Sequence, residues 1–169
     1  MRLLSLFSIG GLLILSAFSH SPSLKITSSA FSNNGNIPMK YTCEGEQLSP
    51  PLSISAVPAG TKSLALIVHD PDAPMKGGFT HWVMWNIDPS NTNIPEGFKG
   101  AEQGLNGAQK PGYIGMCPPT GTHHYHFMVY ALDAKLDISK QTGKAGLEKS
   151  MQGHILAKGD LVGLYKKMK

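Results

Sequence analysis

Residues 64–74 read Leu-Ala-Leu-Ile-Val-His-Asp-Pro-Asp-Ala-Pro, a short apolar run that ends in two acids and two prolines. A short apolar run bounded by turn residues is typical of a β-strand. Pro71 and Pro74 restrict the backbone after the strand, and rigid loops at strand ends are where proteins display binding side chains. The stretch therefore predicts a strand whose end presents Asp70 and Asp72.

Comparable segments recur along the chain between Pro- and Gly-rich turns. The predicted strands are Leu24–Ile26, Leu52–Ile54, Leu64–His69, His81–Ile87, His126–Leu132 and Leu161–Tyr165. This pattern is typical of a mainly β fold such as a sandwich of sheets. One segment differs, because Leu147, Met151 and Ile155 are spaced four apart and predict a helix from Lys144 to about Leu156.

The amino terminus has the pattern of a secretory signal peptide. Arg2 precedes an apolar stretch over residues 3–17, and small residues stand at Ala17 and Ser19. We therefore expect cleavage after Ser19, a single domain over residues 20–169, and a periplasmic or secreted protein. The apolar stretch is short for a transmembrane helix, so we expect no stable membrane insertion after cleavage. An uncleaved anchor is the alternative.

The net charge of the chain is small. Residues 1–19 contain one of the 15 basic residues and none of the 11 acidic ones, so cleavage lowers the net charge from +4 to +3. The charges are scattered, and the basic residues at 166–169 are typical of a solvated end. We therefore expect no nucleic-acid partner.

Cys43 and Cys117 are the two cysteines of the chain. Export to an oxidising compartment would favour a disulfide between them. Two buried free thiols are the alternative, because spacing in sequence does not determine spacing in space.

Alternation along the predicted strands places polar residues at the ends of apolar rows. Asp70 follows Leu66 and Val68 if its strand continues. His81 shares a face with Phe79, Val83 and Trp85. His123 and Tyr125 share a face with Phe127 and Val129. If these strand ends converge, they form one pocket lined by Asp70, Asp72, His81, His123 and Tyr125.

Carboxylates beside imidazoles raise the imidazole pKa and favour doubly protonated rings that donate hydrogen bonds. Two such rings, a phenol and backbone N–H groups of Gly112–Gly115 would suit a phosphate or carboxylate ligand. The aspartates would repel that anion, so we expect them to orient the donors or to bind an amine or hydroxyl of the ligand.

Metal binding and nucleophilic catalysis fit the sequence less well. The candidate metal ligands follow no familiar zinc spacing and alternate between faces; they are His69, Asp70, Asp72, His123, His124 and His126. Cys117 stands between Met116 and two prolines, and no Gly-x-Ser-x-Gly motif occurs. We therefore expect no metal, no cofactor and no enzymatic activity.

Several motifs in order resemble the phosphatidylethanolamine-binding protein (PEBP) family, in its bacterial Raf kinase inhibitor-like branch. They are Tyr41-Thr42-Cys43-Glu44-Gly45, Asp70-Pro71-Asp72-Ala73-Pro74, His81-Trp82-Val83, Gly112-Tyr113-Ile114-Gly115, Cys117-Pro118-Pro119, His123-His124-Tyr125 and Gly153-His154-Ile155. The resemblance implies two antiparallel sheets with Greek-key connections and a short helix near the carboxyl terminus. It also implies an anion pocket formed by Asp70, Asp72, His81, His123 and Tyr125, with backbone support from Gly115 and Pro119.

The sequence thus predicts an exported, non-catalytic protein that binds a small anion, either phosphate or a phosphorylated headgroup such as phosphoethanolamine. A regulatory or inhibitory protein that binds another protein through the loops around the pocket is the alternative. A third interpretation is a β-domain whose polar strand ends satisfy one another without a ligand.

Overall fold

The computed structural model describes residues 23–168. Its elements are β1 (Lys25–Thr27), β2 (Gly35–Asn36), a 3-10 helix (Met39–Tyr41), β3 (Leu52–Ser55), β4 (Ser63–Asp70), β5 (Phe79–Ile87), β6 (Asn93–Ile94), β7 (Glu102–Gln103), β8 (Thr122–Leu132), α1 (Lys144–Met151) and β9 (Ile155–Lys166). The expected signal peptide lies outside the described residues. Within residues 23–168, no helix is long and apolar enough to cross a membrane.

The strands form two sheets, as the sequence predicts. One sheet has three strands in the order β1-β3-β6, and the other has six in the order β2-β9-β8-β4-β5-β7. The pairings are antiparallel except for β2 with β9, which is parallel, so the larger sheet is mixed. The Greek-key connections remain an expectation from the family resemblance.

The central strand β4 is apolar from Leu64 to Val68 because both of its faces are buried there. Leu64, Leu66 and Val68 belong to the core beneath the small sheet, whereas Ala65 and Ile67 belong to a second core beneath α1. A strand buried on both faces is expected to read as a continuous apolar run rather than an alternating one. Residues 64–68 therefore lie in the middle of the molecule, between the two cores.

Helix α1 ends earlier than its periodicity suggests. It spans Lys144–Met151 and buries Leu147 and Met151, whereas Ile155 is the first residue of β9 and is 44% exposed. The prediction of a helix to about Leu156 is wrong at this end. Gly153 adopts a positive φ of 81°, a conformation that favours glycine and ends the helical segment.

A β-bulge changes the face on which His81 lies. Val68 pairs with Trp82 but His69 pairs with Thr80, so His81 is an extra residue on β5. The His81 ring consequently contacts the Tyr125 ring, with 5.3 Å between centroids, and Tyr125 belongs to the first core. The prediction that His81 shares a face with Phe79, Val83 and Trp85 is wrong for Val83 and Trp85, which belong to the second core, because simple alternation fails across a bulge. The Phe79 ring does contact the His81 ring, with 4.9 Å between centroids.

Candidate functional site

Asp70 is the buried acid at the end of β4. The strand continues through Asp70, so its carboxylate lies on the side of Val68 and is 3% exposed. One carboxylate oxygen accepts hydrogen bonds from the backbone N–H groups of Asp72 at 2.9 Å and Ala73 at 3.1 Å. The other oxygen accepts one from Nδ1 of His123 at 2.7 Å. Three donors of this kind offset the cost of removing a carboxylate from water.

Strand β8 supplies His123 and Tyr125 from one face, as alternation predicts. His123 is 6% exposed and stacks on the Tyr125 ring with 6.4 Å between centroids. The Tyr125 hydroxyl is buried and has no hydrogen-bond partner among the described residues. Burial, together with the nearby Asp70 carboxylate, strongly raises the pKa of Tyr125. The phenol is therefore a neutral donor at neutral pH.

His81 differs from the expected doubly protonated ring. Its Nδ1 donates a hydrogen bond to the carbonyl oxygen of Ile114 at 2.8 Å, and burial lowers the pKa of the ring. A neutral imidazole that donates through Nδ1 has its lone pair on Nε2. His81 consequently offers an acceptor at neutral pH, and the expectation of raised basicity does not hold for this ring.

A cavity of about 380 Å³ lies next to these groups. Of the residues predicted for the pocket, Asp70, His81, Gly115 and Pro119 line it directly. The remaining lining is mostly apolar and consists of Ala73, Pro74, Met75, Phe79, Ile114 and Cys117. His123 and Tyr125 contact Asp70 and His81 but are not lining residues. The structure thus brings the predicted strand ends together, with three of the five predicted side chains, Asp72, His123 and Tyr125, outside the cavity lining.

Asp72 takes a structural position outside the cavity lining. Its carboxylate accepts hydrogen bonds from the backbone N–H of His124 at 2.8 Å and from Nδ1 of the His124 ring at 2.7 Å. These bonds lower the pKa of Asp72. Asp72 therefore joins the loop after β4 to the start of β8 and holds the two sides of the site together.

Sequence reasoning missed the apolar residues of the cavity. Met75, 51% exposed, and Phe79 lie on the loop and strand that follow the Asp70 turn, and Ile114 supplies the carbonyl that orients His81. Their position in the sequence could have indicated them, because residues 75 and 79 stand between the acidic turn and His81.

A disulfide supports the cavity wall. Cys43 and Cys117 are bonded in the structure, with 5.4 Å between their Cα atoms and a separation of 74 positions in sequence. The Cys43 N–H also donates to the Met116 carbonyl at 3.0 Å. A Cβ at Gly115 would lie 2.8 Å from the Thr42 carbonyl carbon, so this close approach requires glycine. The segment Gly115–Cys117 is therefore held against Thr42–Cys43.

The comparisons with known proteins agree with this architecture. The family profile described as phosphatidylethanolamine-binding protein matches residues 27–166. This chain belongs to the phosphatidylethanolamine-binding protein family. A UPF0098 protein of Pyrococcus horikoshii is 51% identical over 156 residues, which cover 86% of this chain and 77% of that protein.

Two solved PEBP structures have the same fold. A PEBP homolog of Chlamydia trachomatis superposes with a TM-score of 0.84 at 44% identity, covering 88% of this chain and all of that one (100%). Escherichia coli YbcL, described as a member of the mammalian PEBP family, gives a TM-score of 0.80 at 32% identity, covering 86% and 99%. The predicted family and the mainly β fold are thereby confirmed.

Proposed function

We propose that this PEBP-family protein is an exported, non-catalytic binding protein that holds a small phosphorylated ligand, such as phosphate or a phosphoethanolamine headgroup, in the Asp70–His81 cavity. The observation that carries the proposal is the group of polar atoms beside the 380 Å³ cavity. These atoms belong to the Asp70 carboxylate, the neutral His81 ring and the Tyr125 hydroxyl, which has no hydrogen-bond partner within residues 23–168.

The protonation states decide which ligand suits the cavity. Asp70 and Nε2 of His81 are acceptors, so a ligand must bring protons of its own to them. A phosphate monoester has a second pKa near 6 and carries a P–OH group in its monoanion, while an ethanolamine ammonium carries three donors. The remaining phosphate oxygens need donors, and the neutral Tyr125 O–H, whose ring contacts His81, is of this type.

The shape and lining fit a small headgroup. Ligand cavities in proteins commonly measure about 300–1,000 Å³ and combine apolar walls with a few polar groups. Here Met75 and Phe79 provide apolar surface next to the buried acid. Such a wall excludes water, which strengthens each hydrogen bond to the ligand.

Export is part of the proposal and has separate support. The pattern of residues 1–19 is typical of a signal peptide, and the Cys43–Cys117 disulfide is of the kind that persists in oxidising compartments.

The test is a titration with inorganic phosphate, phosphoethanolamine and vesicles of phosphatidylethanolamine, each followed through the ring signals of His81 and His123 by NMR. We expect His81 to shift with phosphoethanolamine, and His81→Ala to weaken binding about tenfold or more while the protein stays folded. The vesicle arm distinguishes a free metabolite from a lipid surface.

The matched control is His154→Ala. His154 also bonds to an aspartate through Nδ1, at 2.8 Å from Asp133, but it lies outside the cavity lining. The variant His154→Ala should leave the binding of all three ligands unchanged. The proposal fails if none of the three ligands shifts His81 between about pH 5 and 8, or if the two alanine variants bind equally well.

A further inference from the structure

A second and larger cleft lies apart from the Asp70–His81 cavity. It measures about 570 Å³ and is formed by residues 47–49, the loop and strand over residues 97–103, residues 111–113, and Lys140. No residue lines both cavities. The segment from Gly112 to Cys117 separates them, because Gly112 and Tyr113 face the cleft side while Ile114, Gly115 and Cys117 line the other cavity.

An unsatisfied hydroxyl marks this cleft. Ser49 is 2% exposed and lines the cleft, yet its Oγ has no hydrogen-bond partner among the described residues. Its backbone is occupied, since the Ser49 carbonyl accepts the Gly97 N–H at 3.0 Å. A buried hydroxyl without a partner costs free energy, and a ligand that bonds to it would recover that cost.

Gln103 supplies a donor of defined orientation. Its Oε1 accepts a hydrogen bond from Nε1 of the buried Trp82 at 3.0 Å, which assigns the other end of the amide as NH₂. That NH₂ makes no hydrogen bond to any described residue, and Gln103 lines the cleft. The Trp82 indole therefore fixes the side chain and leaves two N–H donors available.

The charged and apolar residues of the cleft indicate what kind of ligand it would bind. Lys99 forms no ion pair among the described residues, whereas Lys140 pairs with Glu102 at 3.0 Å. The lining thus carries one acid already neutralised and one free ammonium. Leu48, Phe98 and Tyr113 add apolar surface. Donors, excess positive charge and apolar walls together match a carboxylate on a planar apolar body.

We propose that this cleft is a second binding site, independent of the Asp70–His81 cavity, for a small aromatic or planar carboxylic acid. The carboxylate bonds to the Gln103 amide and the Ser49 hydroxyl near Lys99, and the apolar body packs against Phe98 and Tyr113.

The test uses sodium benzoate as the probe, with NMR of the full mature chain and calorimetry for affinity. We expect low-millimolar benzoate to shift the Trp82 indole N–H through Gln103 and to leave the His81 ring unchanged. Gln103→Glu keeps an acceptor for Trp82 and replaces the NH₂ donor with a charged oxygen, so it should weaken benzoate binding about tenfold or more. Lys99→Met should weaken it severalfold, and the exposed Lys110→Met should not.

The variant Ser49→Ala tests whether the Ser49 hydroxyl binds a ligand or only packs within the fold. If the hydroxyl serves a ligand, its removal should raise the thermal stability of the free protein and at the same time weaken benzoate binding. His81→Ala should bind benzoate normally, which distinguishes this site from the proposed headgroup cavity. The inference fails if benzoate leaves the Trp82 indole unshifted, if Gln103→Glu binds benzoate as well as the wild type, or if phosphoethanolamine competes with benzoate.

Discussion

Asp70 shows how one side chain can hold three parts of a site together. Its carboxylate bonds to the following turn through the N–H groups of Asp72 and Ala73, and to β8 through the His123 ring. Its neighbour Asp72 makes a similar set of bonds to His124 but remains exposed to solvent. Solvent screening makes the exposed contacts weaker than the buried ones.

The difference in burial predicts a difference in stability between variants of the two aspartates. Asp70→Asn replaces one acceptor oxygen with an NH₂ group and removes the charge that strengthens the buried bonds, so we expect unfolding free energy to fall by about 2–3 kcal/mol. Asp72→Asn should cost less than about 1 kcal/mol, because its bonds are exposed. Urea denaturation measures both. Equal losses in the two variants would contradict the importance assigned to burial.

The sequence predicts the position of a side chain correctly where the local backbone alone sets it. Asp70, His123 and Tyr125 lie on the faces that alternation predicts, because β4 pairs with β8 without interruption from Ser63 to His69 and β8 pairs with β9 without interruption from Thr122 to Ala131. His81 does not, because its face depends on a bulge in the pairing of β4 with β5. Its protonation state was also beyond sequence reasoning, since the lowered pKa results from burial in the assembled fold.

At the scale of elements, the β4–β5 connection positions the site. Gly77 and Gly78 both have positive φ in this loop, at 83° and 73°, and a Cβ at Gly78 would overlap the carbonyl oxygen of Asp70. Glycine is therefore required at residue 78 for two reasons, backbone conformation and lack of space. The loop brings Phe79 opposite Asp70 and sets up the bulge at His81.

Gly121 offers a matched comparison for this loop. Its φ of 72° nearly equals that of Gly78, but a Cβ there would meet nothing within 4 Å. We expect Gly121→Ala to cost about 1–2 kcal/mol from backbone strain alone, and Gly78→Ala to cost clearly more and to weaken phosphoethanolamine binding. Denaturation and the His81 titration measure the two effects. Similar stabilities for the two variants would show that the close approach to Asp70 is relieved without cost.

Helix α1 illustrates the limits of periodicity. Leu147 and Met151 are buried as the helical stripe predicts, but Ile155 continues the same spacing and belongs to β9. Strand β9 pairs with β8 over most of its length, from Ile155 to Lys166. The tertiary pairing therefore overrides a local pattern that favours helix.

At the scale of the whole molecule, the disulfide links two regions distant in sequence. It joins the segment after the 3-10 helix to the wall of the Asp70–His81 cavity, across 74 residues. In the chain-entropy account, closing a loop of this length stabilises the folded state by about 4–5 kcal/mol.

We therefore expect reduction to lower the midpoint of guanidinium denaturation, corresponding to a loss of about 4–5 kcal/mol. The double variant Cys43→Ser/Cys117→Ser should be destabilised by a similar amount and should not respond further to reductant. Reductant that leaves the wild-type midpoint unchanged, with the thiols shown to be free, would contradict this expectation.

The amino-acid sequence by itself determined the mainly β architecture, the family, and which strand ends carry acids, imidazoles and a phenol. These follow from short-range rules, namely alternation, turn residues and motif order. The tertiary structure alone decided that β9 begins at Ile155 and that His81 faces Tyr125 as a neutral ring. It also decided that Asp72 bonds to His124 outside the cavity lining. Finally, it decided that a second cleft is enclosed by residues 47–49, 97–103 and 111–113. Each of these depends on pairing and burial between segments far apart in the chain, which no local pattern encodes.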